Sequence, residues 1–465
     1  MLRQGCCSLS ADESGRILDR LAGLEQGIPP EAVRQAIAAT GRVNGRPSPL
    51  SHEVTLWVVL AMGVLTDLPI RQVFKHARRW RPDEVSPGRS ALCQARQRLG
   101  IEPIRHLFGQ VVRPLATPAS VPTAFYRGWR LMAIDGTILD VPDTPANALF
   151  GRFSGGVARG DGAFPQVRKV SLVEVGTHVE VAFAWAGVRQ AGEPRLVEAL
   201  LEHVPADALL LGDRGFFSYD LWQKLDSRDI KRLIRVSRAP LLSPIRSLGD
   251  GSYLAHMYPR SHDRQRERHG VIVRVIRYTL DDPQRVGHGE VHRLVTNLLD
   301  AELYPAAELI PLYHQRWEQE LTWDEQKTHL DPRRTSKPTH LRSQTSAGVA
   351  QELYALSLGH FVVRALMTEA AAAAGVDPDR LSFTGCWHLL RCRLPECDGR
   401  TPDAWSRWWH GLLAEMAREQ IEPRRHRLNP RVIKRKMSKW PKKRPHHRPS
   451  TPLTKHFADT VVMLC

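Results

Sequence analysis

The chain has 465 residues, 42% of them hydrophobic, and a formal net charge of +17. Such a chain can bury a large core in several domains, and its composition excludes the disordered and collagen-like classes. The excess of Lys and Arg points to a polyanionic partner, nucleic acid before a membrane surface.

Seven cysteines, Cys6, Cys7, Cys93, Cys386, Cys392, Cys397 and Cys465, include no CxxC pair. They read as free thiols of a cytoplasmic protein and not as a disulfide framework, although Cys386, Cys392 and Cys397 are also conceivable as a metal cluster. Asp12 and Glu13 stand where a signal peptide would be apolar. The run Val54–Leu65 is too short to cross a bilayer.

In chain order, helices are expected over 12–26 and 30–40, and an apolar helix over 52–65. A further helix over 70–80 is followed by the turn Ser86-Pro87-Gly88 and a helix over 89–99 that carries Arg96 and Arg98. Two short helices around a tight turn, the second rich in Arg and Gln, fit a helix-turn-helix DNA reader. They fit an accessory helical domain with a basic surface as well. From Trp129 the period changes to that of strands: 130–139, 169–175 and 179–185, then a helix over 193–204, a strand over 208–211, a helix over 218–225 and a strand over 231–236. The order β-β-β-α-β-α-β is that of a ribonuclease-H-like fold. Residues 238–292 interrupt it as a β-rich insertion, and 293–298 return to the sheet. Helices fill 347–375, 377–394 and 404–419. Residues 424–448 then hold twelve Lys or Arg and no Asp or Glu. Pro430, Pro441 and Pro445 break that tail, which is expected to be an arm contacting phosphates, with Lys434 and Arg435 among its charges. The domains are expected at 1–122 (helical, DNA-binding), 123–345 (catalytic) and 346–465 (helical, with the basic tail).

Between Leu312 and Leu330 there is no Gly or Pro, so one helix is expected there. At 3.6 residues per turn, Tyr313, Arg316, Glu320 and Lys327 fall within about 60° of one another around its axis. A phenol, a guanidinium, a carboxylate and an ammonium make a poor core face but a good one for a phosphodiester and a metal ion. A solvated face with i,i+4 ion pairs is the alternative, and Asp324 rivals Glu320 for the carboxylate role. Two more acids stand out. Asp135 sits inside an apolar strand and Asp213 ends another, in Gly212-Asp213-Arg214-Gly215. Ionised carboxylates in such places need compensation. Three of them, 78 and 107 residues apart, would share one or two divalent cations if the fold gathers them.

With these residues in view, the sequence resembles the DDE transposases of bacterial insertion sequences, in the group with a Y-R-E-K signature. The matches are Asp135-Gly136-Thr137, Gly212-Asp213-Arg214-Gly215-Phe216 and Tyr313-x2-Arg316-x3-Glu320-x6-Lys327. Similarity continues through Pro142–Asn147, Ala95–Gly100 and Asn429-Pro430-Arg431, so it covers roughly residues 30–440. The resemblance implies a ribonuclease-H-like core with a β-rich insertion and flanking helical regions. It implies Mg²⁺, with Mn²⁺ as a substitute, held as one or two ions by Asp135, Asp213 and Glu320, and thereby favours Glu320 over Asp324. It implies cut-and-paste movement of an insertion sequence by strand cleavage and transfer, on double-stranded DNA that includes the terminal inverted repeats and the target, by a homodimer in the cytoplasm or nucleoid. Tyr313, Arg316 and Lys327 would hold DNA near the cut, as would Arg96, Arg98 and Arg431 elsewhere. Trp317 would stack on a base or, alternatively, fill the core. Relatives that cut through a hairpin can carry a further Trp before the returning strand, and residues 286–298 have none. The alternatives in other classes are an inactive DNA-binding descendant of a transposase and a stand-alone nuclease.

Overall fold

The computed structural model describes residues 18–43, 48–78, 86–153, 161–237, 241–283, 288–330, 341–397, 401–422 and 456–464. They fall into two units, Met1–Ala208 with Trp317–Ile421, and Leu209–Arg316 with Glu422–Cys465. The basic tail, with Arg431, Lys434 and Arg435, lies outside the described residues.

Among the described residues the first unit opens on a 3₁₀ turn, Asp19–Leu24, within the helix expected over 12–26, whose residues 12–17 lie outside the described residues. Five helices follow: α1 Pro30–Ala39, α2 His52–Val64, α3 Ile70–His76, α4 Arg89–Leu99 and α5 Glu102–Val111. Ser51 caps α2 by accepting from the Val54 N–H. Helix α5 was not anticipated, although Ile104, Leu107, Phe108 and Val111 have helical spacing and are all buried. The chain then forms β1 Phe125–Tyr126, β2 Trp129–Asp140, β3 Gln166–Glu174, β4 Val179–Gly187 and α6 Glu193–Glu198. Strands β2, β3 and β4 make an antiparallel meander in which Asp135 faces Ser171 and Ser171 faces Phe183.

The second unit comprises β5 Ala208–Gly212, α7 Tyr219–Asp226, β6 Lys231–Arg235, β7 Pro244–Ser247, β8 Tyr253–Met257, α8 Ser261–Gln265, β9 Val271–Leu280, β10 His292–Thr296 and α9 Ala306–His314. In it β5 runs parallel to β6, and β10 pairs antiparallel with both β6 and β9. Strands β7, β8 and β9 form the expected β-rich insertion as an antiparallel meander. Arg274, fully buried on β9, donates to the carbonyls of Leu298, Asp300 and Tyr304 and pairs with Asp250, so the meander is tied to the loop before α9.

The chain returns to the first unit with α10 Glu318–Asp324, α11 Ser346–Ala374, α12 Phe383–Arg393 and α13 Pro402–Met416, and β11 Val461–Met463 pairs with β9 in the second. Helix α11 is the spine of the first core. It crosses α2 at two glycines: a Cβ on Gly63 would lie 1.8 Å from the Ala355 carbonyl oxygen, and one on Gly359 would lie 2.5 Å from that of Gly63. Backbone cannot yield as a side chain can. Gly63→Ala is therefore expected to destabilise the protein by about 1–3 kcal/mol, read as an earlier urea midpoint. A variant as stable as the parent would show that the helices can separate without penalty.

Cys386 and Cys397 are buried and Cys392 is exposed. Burial among apolar neighbours pushes the Cys386 thiol up to about 12, as suits an inert core thiol.

Candidate active site

The expected single helix over 312–330 is broken twice. Helix α9 stops at His314, a 3₁₀ turn covers Gln315–Trp317, and α10 gives way to a π-helical turn over Glu325–His329. The division between units falls at the first break: Tyr313 and Arg316 belong to the second unit, Trp317, Glu320 and Lys327 to the first. A stripe drawn with α-helical angles does not survive two changes of winding, so these four residues owe their places to what each segment packs on.

In the first unit Asp135 is half-buried on β2, and its Oδ1 accepts from the Gly136 N–H at 2.8 Å. A Cβ on Gly136 would lie 2.8 Å from Glu193 Oε1 at the start of α6, the end of a flexible side chain that can move aside. Helix α10 is laid over this point. Gln319 donates to the Ser171 carbonyl, 2.9 Å, and Ser171 is the cross-strand partner of Asp135. Thr322 donates to the His178 carbonyl, 3.3 Å, and Lys327 donates to Thr137 Oγ1, two residues beyond Asp135 on the same strand face. Glu320 follows Gln319 directly and is half-buried. Asp324, its rival, is exposed and paired with His329 at 3.1 Å. Trp317 is 45% exposed, which removes the core alternative for it.

The π turn is fixed by two buried clusters. Glu325 faces Arg364, His360 and His178, with His360 Nε2 and Arg364 Nε each 2.9 Å from Oε2. Burial pushes the Glu325 carboxyl up, but Arg364 with the two histidines more than reverses this and holds it well below the usual carboxylate range. Gln326 joins Lys169 and Glu180, themselves paired at 2.8 Å and bonded to Ser171 and Ser357. None of these residues was singled out in the sequence. An alternation of polar residues inside strands β3 and β4 was the available signal.

In the second unit Asp213 follows the fully buried β5 and caps the turn Arg214–Phe216, its Oδ1 accepting from the Gly215 N–H at 2.6 Å. The Tyr313 phenol is buried, which pushes its pKa up. Arg316, Arg235 and Asp213 all act on it, Arg316 most strongly. Arg235, exposed at the end of β6, is a member of this group that no sequence motif marked.

Arg96 is held on α11, donating to Gln351 Oε1 at 3.0 Å and to the Gly348 carbonyl at 3.3 Å, whereas Arg89, Gln94, Gln97 and Arg98 are exposed along α4. Among the described residues no three His, Cys, Asp or Glu side chains are drawn together as a metal cluster. The donor chemistry still suits a hard cation. Asp135, Asp213 and Glu320 offer carboxylate oxygens, and Oδ1 of each of the first two accepts from a backbone N–H.

An acid in the middle of one strand, an acid ending another and a helix bearing a glutamate beside the first are the parts of a DDE-type DNA-cleaving domain. Residues 128–351 match the transposase DDE domain family, and residues 18–109 match the insertion element 4 transposase N-terminal family. The chain belongs to the insertion element 4 family of DDE transposases, with a mixed α/β, ribonuclease-H-like core and helical flanks. It is similar to the Escherichia coli (strain K12) transposase InsG for insertion sequence element IS4, at 29% identity over 90% of this chain and 93% of that one. It is also similar to the cryo-EM structure of the piggyBac transposase synaptic complex with hairpin DNA, with a TM-score of 0.42, 12% identity and 86% of each chain covered. The protein is thus a DNA-binding, DNA-cleaving transposase that depends on a divalent metal ion. Among the described residues no helix is long and apolar enough to cross a membrane.

Proposed function

We propose that the protein moves its own insertion sequence by cut-and-paste transposition, working as a dimer on the two terminal inverted repeats and then on target DNA. Residues 1–122 recognise the ends with the exposed face of α4, Arg98 included; residues 123–345 cut and join; residues 346–465 complete the fold and add the basic tail. The observation that carries this is the seating of α10 across the Asp135 row, through Gln319 to Ser171 and Lys327 to Thr137, with Glu320 between them.

Asp135, Asp213 and Glu320 would hold Mg²⁺, or Mn²⁺ in its place, which when bound activates the attacking oxygen and stabilises the leaving one. Tyr313, Arg316 and Lys327 place the scissile phosphate and its neighbours, in keeping with the Y-R-E-K signature. Arg316 offers a planar fork to phosphate oxygens, and its position against the Tyr313 phenol limits the directions in which that fork can point. Trp317, on the exposed side of the same turn, stacks on a base beside the break. The test is cleavage and strand joining on a duplex carrying one element end and its flank, with and without Mg²⁺. Metal-dependent nicking at the element boundary followed by joining is the expected result. Binding without any cleavage would overturn the reading in favour of an inactive descendant, and cutting without joining would leave a nuclease.

Arg316→Lys keeps the charge and loses the fork. It is expected to slow cleavage by about 10²-fold, the penalty of a misplaced reacting group, while overall DNA affinity changes little because many other basic residues share it. Equal losses of affinity and cleavage would assign Arg316 to general binding.

A further inference from the structure

We propose that the tip joining β8 to β9 is a phosphate-binding surface of the second unit that holds the element's own end close to the bond being cut. Within residues 260–269 stand Arg260, Arg264, Arg266 and Arg268, together with His262 and His269, against Asp263 and Glu267. All four arginines are exposed, and among the described residues no carboxylate pairs with any of them. Some surface arginines elsewhere are paired, Arg34 with Glu31, Arg105 with Glu102, Arg189 with Asp161 and Arg393 with Glu415, whereas Arg71, Arg89, Arg98, Arg195 and Arg214 are exposed without a carboxylate partner among the described residues. What sets residues 260–269 apart is four such arginines within nine residues.

The tip is also built, which separates it from an ordinary charged loop. The Arg266 N–H donates to the His262 carbonyl and the Arg268 N–H to the Asp263 carbonyl, at 3.3 and 2.9 Å. Glu267 and His269, on either side of Arg268, are both in the left-handed region, with φ of 51° and 58°. Residues other than glycine adopt that conformation reluctantly, and it persists where the surroundings impose it. Here the imposed result is that Arg268 projects from a fixed turn. The Tyr219 hydroxyl donates to the His269 carbonyl at 2.8 Å and so pins the tip to the start of α7, where Ser218 caps the helix.

That pin locates the surface relative to the chemistry, and at this step the inference rests on the assignment of Asp213 to the cutting site. Tyr219 follows Asp213 by six residues. Six extended residues and a tyrosine side chain reach at most about 30 Å, on the order of nine base pairs of duplex. The tip therefore lies near enough to Asp213 that a duplex held there and directed toward α7 would reach it. The DNA there at the first cut is the element end, and target DNA arrives only after it. Guanidinium groups on a fixed turn suit backbone phosphates, which position DNA without reading its sequence.

The test uses the full chain with Arg264→Gln, Arg266→Gln and Arg268→Gln together. Its probe is a duplex carrying one element end, bound over a series of salt concentrations without divalent metal. The logarithmic salt slope is expected to fall by about two to three, since each phosphate that the protein no longer neutralises lowers it by about 0.9, with thermal melting unchanged. Should the triple variant fold poorly, Arg266→Gln alone is expected to lower the slope by about one. An unchanged slope in a folded variant overturns the proposal. So does normal end binding combined with failure to join a target duplex, which would place the tip on target DNA instead. Asp213→Ala keeps the parental slope and abolishes cleavage if the site assignment holds, so the two readings fail separately.

Discussion

Asp135→Ala is expected to reduce DNA cleavage by at least about 10³-fold, equivalent to about 4 kcal/mol of transition-state stabilisation, while DNA affinity stays close to that of the parent. The reason lies in the strand. Leu131, Met132, Ala133 and Ile134 are all buried, and the half-buried carboxylate that follows them accepts from its neighbour's N–H. A group so placed adds little to folding, because its desolvation opposes whatever its bonds return. Alanine fits the strand, so melting temperature should be equal or higher. On the proposed assignment, what the substitution removes is a carboxylate oxygen that would hold the metal, together with its charge. Asp135→Asn should behave alike, since the amide keeps the size and loses the charge. Cleavage within tenfold of the parent, measured on element-end DNA, would remove Asp135 from the catalytic set. A large fall in stability would show instead that the acid holds β2 in place.

Arg364→Leu is expected to destabilise the first unit by about 3–5 kcal/mol, because it strands the Glu325 carboxylate in the interior. Both side chains are almost wholly buried. His360 does not supply a full compensating charge. Burial pushes the His360 pKa down, although Glu325 opposes this, so the ring is biased toward its neutral form. The paired change Glu325→Gln with Arg364→Met should recover much of the stability, since no uncompensated charge then remains. A single variant as stable as the parent, by urea unfolding, would show that Glu325 takes up a proton at little penalty.

The same cluster sets a pH dependence. The folded Glu325 pKa lies below its unfolded value, so its contribution is present above about pH 4.3 and is lost as pH falls through the lower folded value. His360, also depressed, binds a proton more readily in the unfolded chain, so stability declines as pH falls below about 6.5. Unfolding midpoints that stay level from neutral pH down to about pH 4 would contradict the assignment for His360.

The strand acids were legible because each broke a local rule. Asp135 interrupts an apolar strand and Asp213 ends one, and no structure is needed to notice a carboxylate among leucines and valines. Strands β2 to β6 likewise lie within a residue or a few of where alternation placed them, since a period of two is a property of the strand itself. Gln319 and Glu325 were not legible. On a helix drawn alone they are two more polar residues. One proves to bond the Ser171 carbonyl, 148 residues earlier, and the other an arginine 39 residues later.

Thus the residue types of the proposed catalytic set were determined by the sequence alone: three carboxylates, an arginine, a tyrosine and a lysine at particular spacings, on an α/β frame with a β-rich insertion and a basic excess for DNA. The winding around Glu320, the docking of Arg96 onto α11, the exposure of Trp317 and the fixed turn that presents arginines at the β8–β9 tip were decided only by the tertiary structure. The physical reason is that a polar side chain on a helix or a loop is compatible with solvent, an ion partner or DNA. Which of these it meets depends on the surface that a distant segment brings to it, and local spacing carries no record of that surface.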